Sequence, residues 1–322
     1  MSPFSSFSTS KATSCEPKSN LIRFLQCVTP VPPSRFLPQS SLHELNSQWQ
    51  PPRKNETVQY FTLSDLWDCY AECSAYGSGT ELHLTSGNIL QYYVPYLSAI
   101  QLYCNKSIAA SRRDIADAES DSWSDDSSSD KLSRSLSNHS GRASDAASDD
   151  SGFDRDGSSL SRDKLGYLYL QHFETASPYY RVPLAEKIGE LAKAYPGIYT
   201  LKNVDLSPAS WMSVAWYPIY HIPSRSNKKD LYTCFLTYHS LSSSFHDSDL
   251  GSEVGEDNSE WGLLPFGLAT YKMHGDIWVN SDTNDEETLM NMNSAACSWL
   301  KQLNVSHHDF IFFNYHSAMS SS

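Results

Sequence analysis

The chain has 322 residues, of which 12% are aromatic, and a formal net charge of −13. Large apolar side chains are frequent enough to fill a sizeable core, so the composition excludes a chain that is disordered throughout. The acidic balance argues against a nucleic-acid-binding protein, which usually carries a basic face. No apolar run approaches the roughly 18 residues that a membrane-spanning helix needs.

The first 19 residues predict a disordered N-terminal tail, because they are rich in serine and lack the apolar stretch of a secretory signal. No acid precedes Glu16, a composition that also suits a plastid transit peptide. We therefore expect a cytoplasmic and/or nuclear protein, with a plastid protein as the alternative. A short helix is predicted at 20–28, before the proline-rich segment 29–38.

A second helix is predicted to begin at Thr62. Thr62 and Asp65 have the spacing of a capping box, with Asp65 in the place of the more common Glu, and Gly77 follows the apolar stripe. Cys69 and Cys73 share one face of this helix. Their four-residue spacing can serve zinc, but no second pair of ligands follows, so we interpret them as free thiols in a reducing compartment.

Strands are predicted at 80–84, 89–94 and 97–104, ahead of a sharp change in composition. Residues 111–164 are dominated by serine and contain 13 acidic and 8 basic residues without a sustained apolar period. Such a segment cannot bury enough surface to offset its ordering entropy, so we predict a disordered acidic insertion. A strand at 166–173 follows it. A long loop adds little closure entropy, so we favour an insertion within one domain; a linker between two domains is the alternative.

Several serines of the insertion lie near acids or shortly after arginines, which are the contexts that protein kinases favour. Each phosphate would add about −1.5 to −2 charges. A solvated spacer without a regulatory role is the alternative. The predicted phosphorylation sites are Ser122, Ser124, Ser127, Ser128, Ser137 and Ser144.

Two further helices are predicted in the second half of the chain. One begins at Pro183 and ends before Pro196-Gly197, and the other is capped by Thr283 and Glu286 and extends to about residue 305. The strands predicted in this half are 211–222, 232–240, 266–273, 275–279 and 309–315.

Two polar segments separate these elements. The acidic loop 246–260 is predicted to join two strands. His307-His308-Asp309 is the densest group of ligand-type residues, but adjacent histidines on a strand point to opposite faces. We therefore predict a solvated turn there, ahead of the strand 309–315.

The segment 211–222 is the most aromatic of the predicted strands. Both of its faces are uncharged, which predicts a strand that is covered on both sides. Pro218 cannot donate to a neighbouring strand, so a bulge or a sheet edge is expected at that position. We interpret the segment mainly as core, with an exposed recognition surface as the alternative.

Short aromatic strands joined mostly by loops predict an α+β fold with a mostly antiparallel sheet and about three packed helices, interrupted by the disordered acidic insertion. We expect a single domain at 20–316 between the N-terminal tail 1–19 and a disordered C-terminal tail, 317–322.

The most specific stretches are "QYYVPYLSAIQLY" at 91–103 and "SWMSVAWYPIYHIP" at 210–223. With "NLIRFLQCVTPVPP" at 20–33 and "PLAEKIGELA" at 183–192, they resemble the plant-specific family known as domain of unknown function 789. The resemblance covers about residues 20–315. It implies a plant source and a shared fold, and it carries over no activity, cofactor or catalytic residue.

We find no phosphate-binding glycine loop, nucleophile elbow or kinase signature in the sequence. We therefore predict no catalytic residue, metal ligand or cofactor. The ends of the aromatic strands carry histidines that would form a pocket with acids of the second helix if they met in space. The predicted pocket consists of His221, His239, His316, Asp65 and Asp68.

Two functions follow as hypotheses. The first is a noncatalytic protein-interaction module whose partner choice is tuned by the phosphorylatable acidic loop. The alternative is an enzyme of an unrecognised class with a pocket lined by histidine and carboxylate. We favour the first, with a protein as its partner and no nucleic acid.

Overall fold

The computed structural model describes residues 19–42, 57–109, 165–224, 229–245, 262–273, 277–280 and 283–319. The predicted N-terminal tail apart from Ser19, the insertion 111–164 and the acidic loop 246–260 lie outside the described residues. So do the six predicted phosphorylation sites.

The first part of the chain forms α1 (Asn20–Val28), β1 (Arg35–Pro38), β2 (Thr57–Tyr60), α2 (Leu63–Tyr76), β3 (Ser78–Leu84) and β4 (Gly87–Cys104). Helix α1 lies where the sequence predicts it. Helix α2 begins with the predicted capping box, in which Thr62 Oγ1 accepts from the Asp65 amide and the Asp65 carboxylate accepts from the Thr62 amide. These reciprocal bonds satisfy amides that the first turn leaves unpaired.

The strand assignments of this part need two corrections. β1 and β2 pair with each other in a small antiparallel sheet that the proline-rich sequence around them does not suggest. β4 is one strand of 18 residues where two were predicted. It continues through Pro95, whose missing donor is tolerated between register shifts at Tyr92/Tyr93 and Leu97/Ala99.

The second part of the chain forms β5 (Tyr167–Phe173), α3 (Leu184–Ala192), α4 (Gly197–Thr200), β6 (Trp211–Ile222), β7 (Cys234–Ser240), β8 (Gly267–Tyr271), α5 (Asp285–Gln302) and α6 (His308–Met319). Short 3-10 turns lie at Pro178–Tyr180, Asn203–Asp205, Lys229–Tyr232 and Ser243–Phe245.

The largest error concerns 309–315, which is predicted as a strand and is helical in α6. The run "DFIFFNY" is apolar and aromatic without a clear period, and periodicity alone cannot separate a strand from a helix in such a run. Packing decides the outcome, because Phe312 and Phe313 of α6 contact the ring of Tyr271 on β8. The helix extends to Met319, three residues beyond the predicted domain end.

Smaller corrections concern the ends of other elements. The described residues of the predicted strand 275–279 form a turn and an irregular segment. Helix α3 ends at Ala192, and Gly197 begins the short helix α4 instead of marking a stop. Helix α5 has Asn284 instead of Thr283 at its N-cap, and Asn284 makes no side-chain capping bond. Thr283 lies one residue earlier, and its hydroxyl donates to Asp285.

In the described part of the chain, the main sheet has six antiparallel strands in the order β3-β4-β6-β7-β8, with β5 pairing along the second half of β4. Strands from both sides of the insertion therefore pair directly. Helices α1, α2 and α3 pack on one face of the sheet and α6 on the other, while α5 lies along β8 and contributes side chains to the core on both faces. The fold is α+β, as predicted.

The aromatic segment 211–222 forms β6, between β4 and β7 in the sheet. Trp211 to Trp216 are buried, with Trp216 packed against α1 and α2 and Trp211 against β5 and β7 on the opposite face. Tyr93 pairs with Pro218, so the proline lies at the predicted irregularity. Beyond it the strand emerges, and Ile219, Tyr220 and Ile222 are exposed. The core interpretation is confirmed for 211–216 only.

Candidate functional site

A bulge in β4 directs Ser98 toward the helix layer of α5 and α6. Leu97 pairs with Val214 and Ala99 with Ser213, so Ser98 has no partner on β6. Its carbonyl accepts from the Glu174 amide over 2.8 Å. Its hydroxyl donates to Asp309 Oδ2 over 2.5 Å, and its Oγ also lies 2.9 Å from His307 Nε2.

Asp309, in the first turn of α6, forms a buried ion pair with Arg181. Arg181 donates from both terminal nitrogens to the two carboxylate oxygens, over 2.6 and 2.8 Å, and from Nε to the Ala176 carbonyl over 2.9 Å. The two side chains are only 2% and 3% exposed. Burial alone would raise the pKa of Asp309, but the bonds and charge of Arg181 and the bond from Ser98 outweigh it, so the pKa is lowered.

His307 completes the cluster between Ser98 and Tyr238. The Tyr238 hydroxyl lies 2.7 Å from His307 Nδ1. Because the Ser98 proton points to the Asp309 carboxylate, we assign the imidazole proton to Nε2, which donates to Ser98 Oγ, while Nδ1 accepts from Tyr238. Burial lowers the pKa of His307 to about 4, so the ring is neutral near pH 7.

Ser98, His307 and Asp309 are the residue types of a hydrolase triad, but their protons are arranged differently. In a triad the histidine accepts from the serine hydroxyl. Here the serine donates directly to the carboxylate, and both serine and histidine are fully buried. The cluster therefore fastens α6 and the loop before α3 to the bulge of β4.

The predicted solvated turn at 307–309 is wrong. His307 and Asp309 are buried, and only His308 projects outward, with its side chain 58% exposed. Sequence reasoning missed the cluster because Ser98, Arg181 and Tyr238 come from distant segments. The only local signal was the ligand-type run itself.

A cavity of about 710 Å³, which we name the tyrosine cavity, opens beside this cluster. Arg181 and Asp309 are part of its lining. Two ring pairs contribute to its walls, Tyr96 with Tyr217 at 5.6 Å and Tyr271 with Phe312 at 5.1 Å between centroids. The remaining lining residues are Thr175, Ala176, Ser177, Pro178, Tyr179, Tyr232, Cys234, Lys272, His308 and Pro218.

The loop before α3 leaves two tyrosines in solvent at this cavity. Tyr179, which lines it, is 95% exposed, and its neighbour Tyr180 is 84% exposed. Both belong to one 3-10 turn, Pro178–Tyr180. Tyr232, also exposed, lines the tyrosine cavity and a smaller cavity of about 250 Å³ that includes Ile219, Tyr220 and His221. The apolar surface therefore continues from one cavity to the next.

The five residues of the predicted pocket have separate surroundings. His239 is fully buried between the Leu263 carbonyl and Thr237 Oγ1, and burial lowers its pKa to about 4. His221 lines the smaller cavity. Asp65 is held by its capping box and by Arg35, whereas Asp68 is exposed. Helix α6 contains His316, whose side chain is outside the described part. None of the described candidates lines the tyrosine cavity, and a shared pocket stays a prediction.

A third cavity, of about 300 Å³, brings Cys27 beside Cys69 and Cys73. The cysteines of the described segments are free, and in those segments no three His, Cys, Asp or Glu side chains meet closely enough to hold a metal ion. Burial raises the pKa of Cys73 to about 12, which keeps that thiol protonated. Likewise, no helix within the described ranges is both long and apolar enough to cross a membrane.

The fold and the site define an α+β protein whose antiparallel sheet is covered by helices on both faces and carries an aromatic cavity beside a buried ion pair. The chain belongs to the family described as "Protein of unknown function (DUF789)", whose model matches residues 19–313. The family resemblance is thereby confirmed. No curated protein and no solved structure matches the chain.

Proposed function

We propose that the chain is a noncatalytic protein-interaction module and that the tyrosine cavity holds a segment of a partner protein. The main observation behind the proposal is that an aromatic cavity lies next to two tyrosines, Tyr179 and Tyr180, whose side chains are almost fully exposed to solvent. Ligand cavities of about 300–1,000 Å³ with mostly apolar walls are common binding sites. Tyrosine and arginine are enriched among the residues that dominate protein–protein affinity.

The exposed tyrosines beside the cavity, Tyr179 and Tyr180, are better explained by binding of a partner segment than by binding of a small ligand. A small molecule enclosed by the cavity could contact Tyr179, which lines it, but would leave the neighbouring Tyr180, which is 84% exposed and does not line the cavity, uncovered. An extended peptide would cover these rings. Tyrosine has only two side-chain torsions to fix on binding, so contacts of this kind have a low entropic cost.

The enzyme alternative receives less support from the same geometry. Both oxygens of Asp309 already accept hydrogen bonds, and its lowered pKa keeps it ionised near pH 7, so it is a poor general acid. Burial raises the pKa of Cys234 to about 12, which leaves this thiol protonated and weakly nucleophilic. These groups suit a rigid cavity wall better than proton transfer.

We include in this proposal the expectations from the sequence about the domain, phosphorylation, source and location. A single domain from 20 to 316 is supported by the pairing of β4 with β5 and β6 across the insertion. Phosphorylation of the acidic insertion would tune partner choice through added negative charge. A plant source and a cytoplasmic or nuclear location, with the plastid as alternative, remain predictions.

The test is selection of binders from a random peptide library displayed on phage, with the full chain as bait. We expect enriched peptides whose affinity falls about tenfold or more in Tyr179→Ala and Tyr232→Ala, the loss typical of an interface anchor. Phe36→Ala is the matched control, since Phe36 is 68% exposed on the separate β1–β2 sheet. Failure to enrich any peptide, or binding that depends on Phe36 and not on the tyrosines, would overturn the proposal.

The regulatory part has its own test. Aspartates in place of Ser122, Ser124, Ser127 and Ser128 are expected to change the affinities of the selected peptides, while alanines in the same positions are not. Identical peptide affinities for the two variants would show that negative charge on the insertion does not regulate binding. The proposal that the tyrosine cavity binds the partner would be unaffected.

A further inference from the structure

On the basis of the proposed function, we infer that the tyrosine cavity selects partner segments that carry a negatively charged group, and that Lys272 binds this group. The charges in the cavity lining give the first argument. Arg181 and Asp309 neutralise each other in their ion pair. Lys272 then contributes an unbalanced positive charge to the lining. The cavity is a locally cationic site on a chain with a net charge of −13.

Lys272 has a fixed backbone conformation and an exposed side chain beside an aromatic ring, which gives the second argument. Its backbone has φ +57°, an uncommon left-handed conformation for a residue with a side chain, and Thr233 Oγ1 donates to its carbonyl over 3.2 Å. Its Nζ lies 5.2 Å from the ring centroid of Tyr271, within cation–π distance. The side chain is exposed, and its contact with the Tyr271 ring, which lines the cavity, places the ammonium group at the cavity wall.

The ammonium group has no acidic partner among the residues that the structure describes. The salt bridges of these residues involve other bases, and Asp309, the acid among the described residues of the cavity lining, has both oxygens occupied by Arg181. A cation beside aromatic walls also acts through a lower effective dielectric than a cation in bulk water, so its attraction for an anion is stronger. The ring pairs would then contact an apolar or aromatic side chain next to the anionic group.

Anionic oxygens can come from a carboxylate of Asp or Glu or from a phosphate, and small probes separate the two. We would measure binding of phenyl phosphate, phenylacetate and the neutral benzyl alcohol to the full chain by ligand-observed NMR. We expect one or both anions to bind at least about fivefold more tightly than benzyl alcohol, and Lys272→Gln to abolish this preference. A preference for phenyl phosphate alone would identify phosphate as the group, and similar binding of both anions would identify the carboxylate as sufficient.

Two variants control for effects that are not specific to the charge of Lys272. Lys272→Arg keeps the charge at the same backbone conformation and should keep the preference for anions. Lys301→Gln removes an exposed charge at the end of α5 and should change nothing. Equal binding of the three probes, or a preference that survives Lys272→Gln, would overturn the inference.

The phage selection separates failure of the inference from failure of the proposed function. Peptides that need Tyr179 and Tyr232, but lack acidic residues and bind Lys272→Gln as well as the native chain, would overturn the inference and retain the interaction module. If neither peptides nor probes bind, both are overturned.

Discussion

Ser98 Oγ donates a hydrogen bond to Asp309 Oδ2 over 2.5 Å, although 211 positions separate the two residues in the sequence. Ser98 precedes the acidic insertion, and Asp309 follows it. A second such bond runs from Trp211 Nε1 to Gln101 Oε1 over 2.8 Å. Both bonds are buried, where a lost partner is costly, so they tie the two parts of the chain to one arrangement.

Cleavage within the insertion should therefore leave the two parts associated. A protease recognition sequence placed after Ser140 allows the folded chain to be cut at one site. We expect the cut protein to elute from a sizing column as a single species of unchanged size, while a denaturing gel shows two fragments, because β4 remains paired with β5 and β6. Two separately eluting folded fragments would show two domains joined by a linker.

Breaking the Arg181–Asp309 pair from one side should be strongly destabilising. Arg181→Met or Asp309→Asn leaves one buried charge without its partner, which typically costs about 3–5 kcal/mol in the free energy of unfolding. The double variant should cost clearly less than the sum of the two single variants. Urea unfolding followed by tryptophan fluorescence measures all three.

Arg35→Met is the matched control for this experiment. Arg35 also makes two bonds to a carboxylate, that of Asp65, but its side chain is 51% exposed, so we expect a loss of about 1 kcal/mol or less. A loss at Arg181 no greater than the loss at Arg35 would refute the view that burial makes the Arg181 pair critical.

Local features of this protein are predictable from the sequence, and non-local ones are not. The capping box of Thr62 and Asp65 lies within four residues of sequence. The absence of charged residues from both faces of 211–216 indicates directly that the strand is buried on both sides. The site depends instead on a bulge that exposes Ser98 to α6 and on an arginine from another loop. Such contacts depend on strand register and helix packing, which no short motif encodes. The misassignment of 309–315 has the same origin, because packing on β8 determines its helical form.

The buried histidines should make the protein less stable below neutral pH. His239 and His307 have pKa values of about 4 in the fold, chiefly because of burial, against about 6.5 in an unfolded chain. The unfolded state therefore takes up protons first, so their contribution to stability is complete above about pH 6.5 and is lost as the pH falls toward 4. Each histidine accounts for up to about 3 kcal/mol over this range.

The measurement is urea unfolding at pH 7, 6 and 5. His239→Gln should reduce the dependence on pH in this window by about half, because His307 keeps its own contribution, while the exposed control His83→Gln should leave it unchanged. The carboxylates Asp65 and Asp309, whose pKa values are lowered, affect stability only below about pH 4 and do not overlap with this window. A dependence in His239→Gln that is as steep as in the native chain would assign the effect to other groups.

Two helical glycines should respond in opposite directions to the same substitution. In Gly197→Ala the new Cβ would lie 2.5 Å from the Tyr169 hydroxyl, which also accepts from the Gly197 amide over 2.8 Å, so we expect a loss of about 1–3 kcal/mol from overpacking. In Gly189→Ala, within α3, the nearest atom would be the Tyr199 hydroxyl at 3.9 Å. Alanine there restricts the unfolded chain and should raise the free energy of unfolding by about 0.5–1 kcal/mol. Thermal and urea unfolding of the two variants provide the comparison, and a shift of both midpoints in the same direction would contradict the packing described around Tyr169.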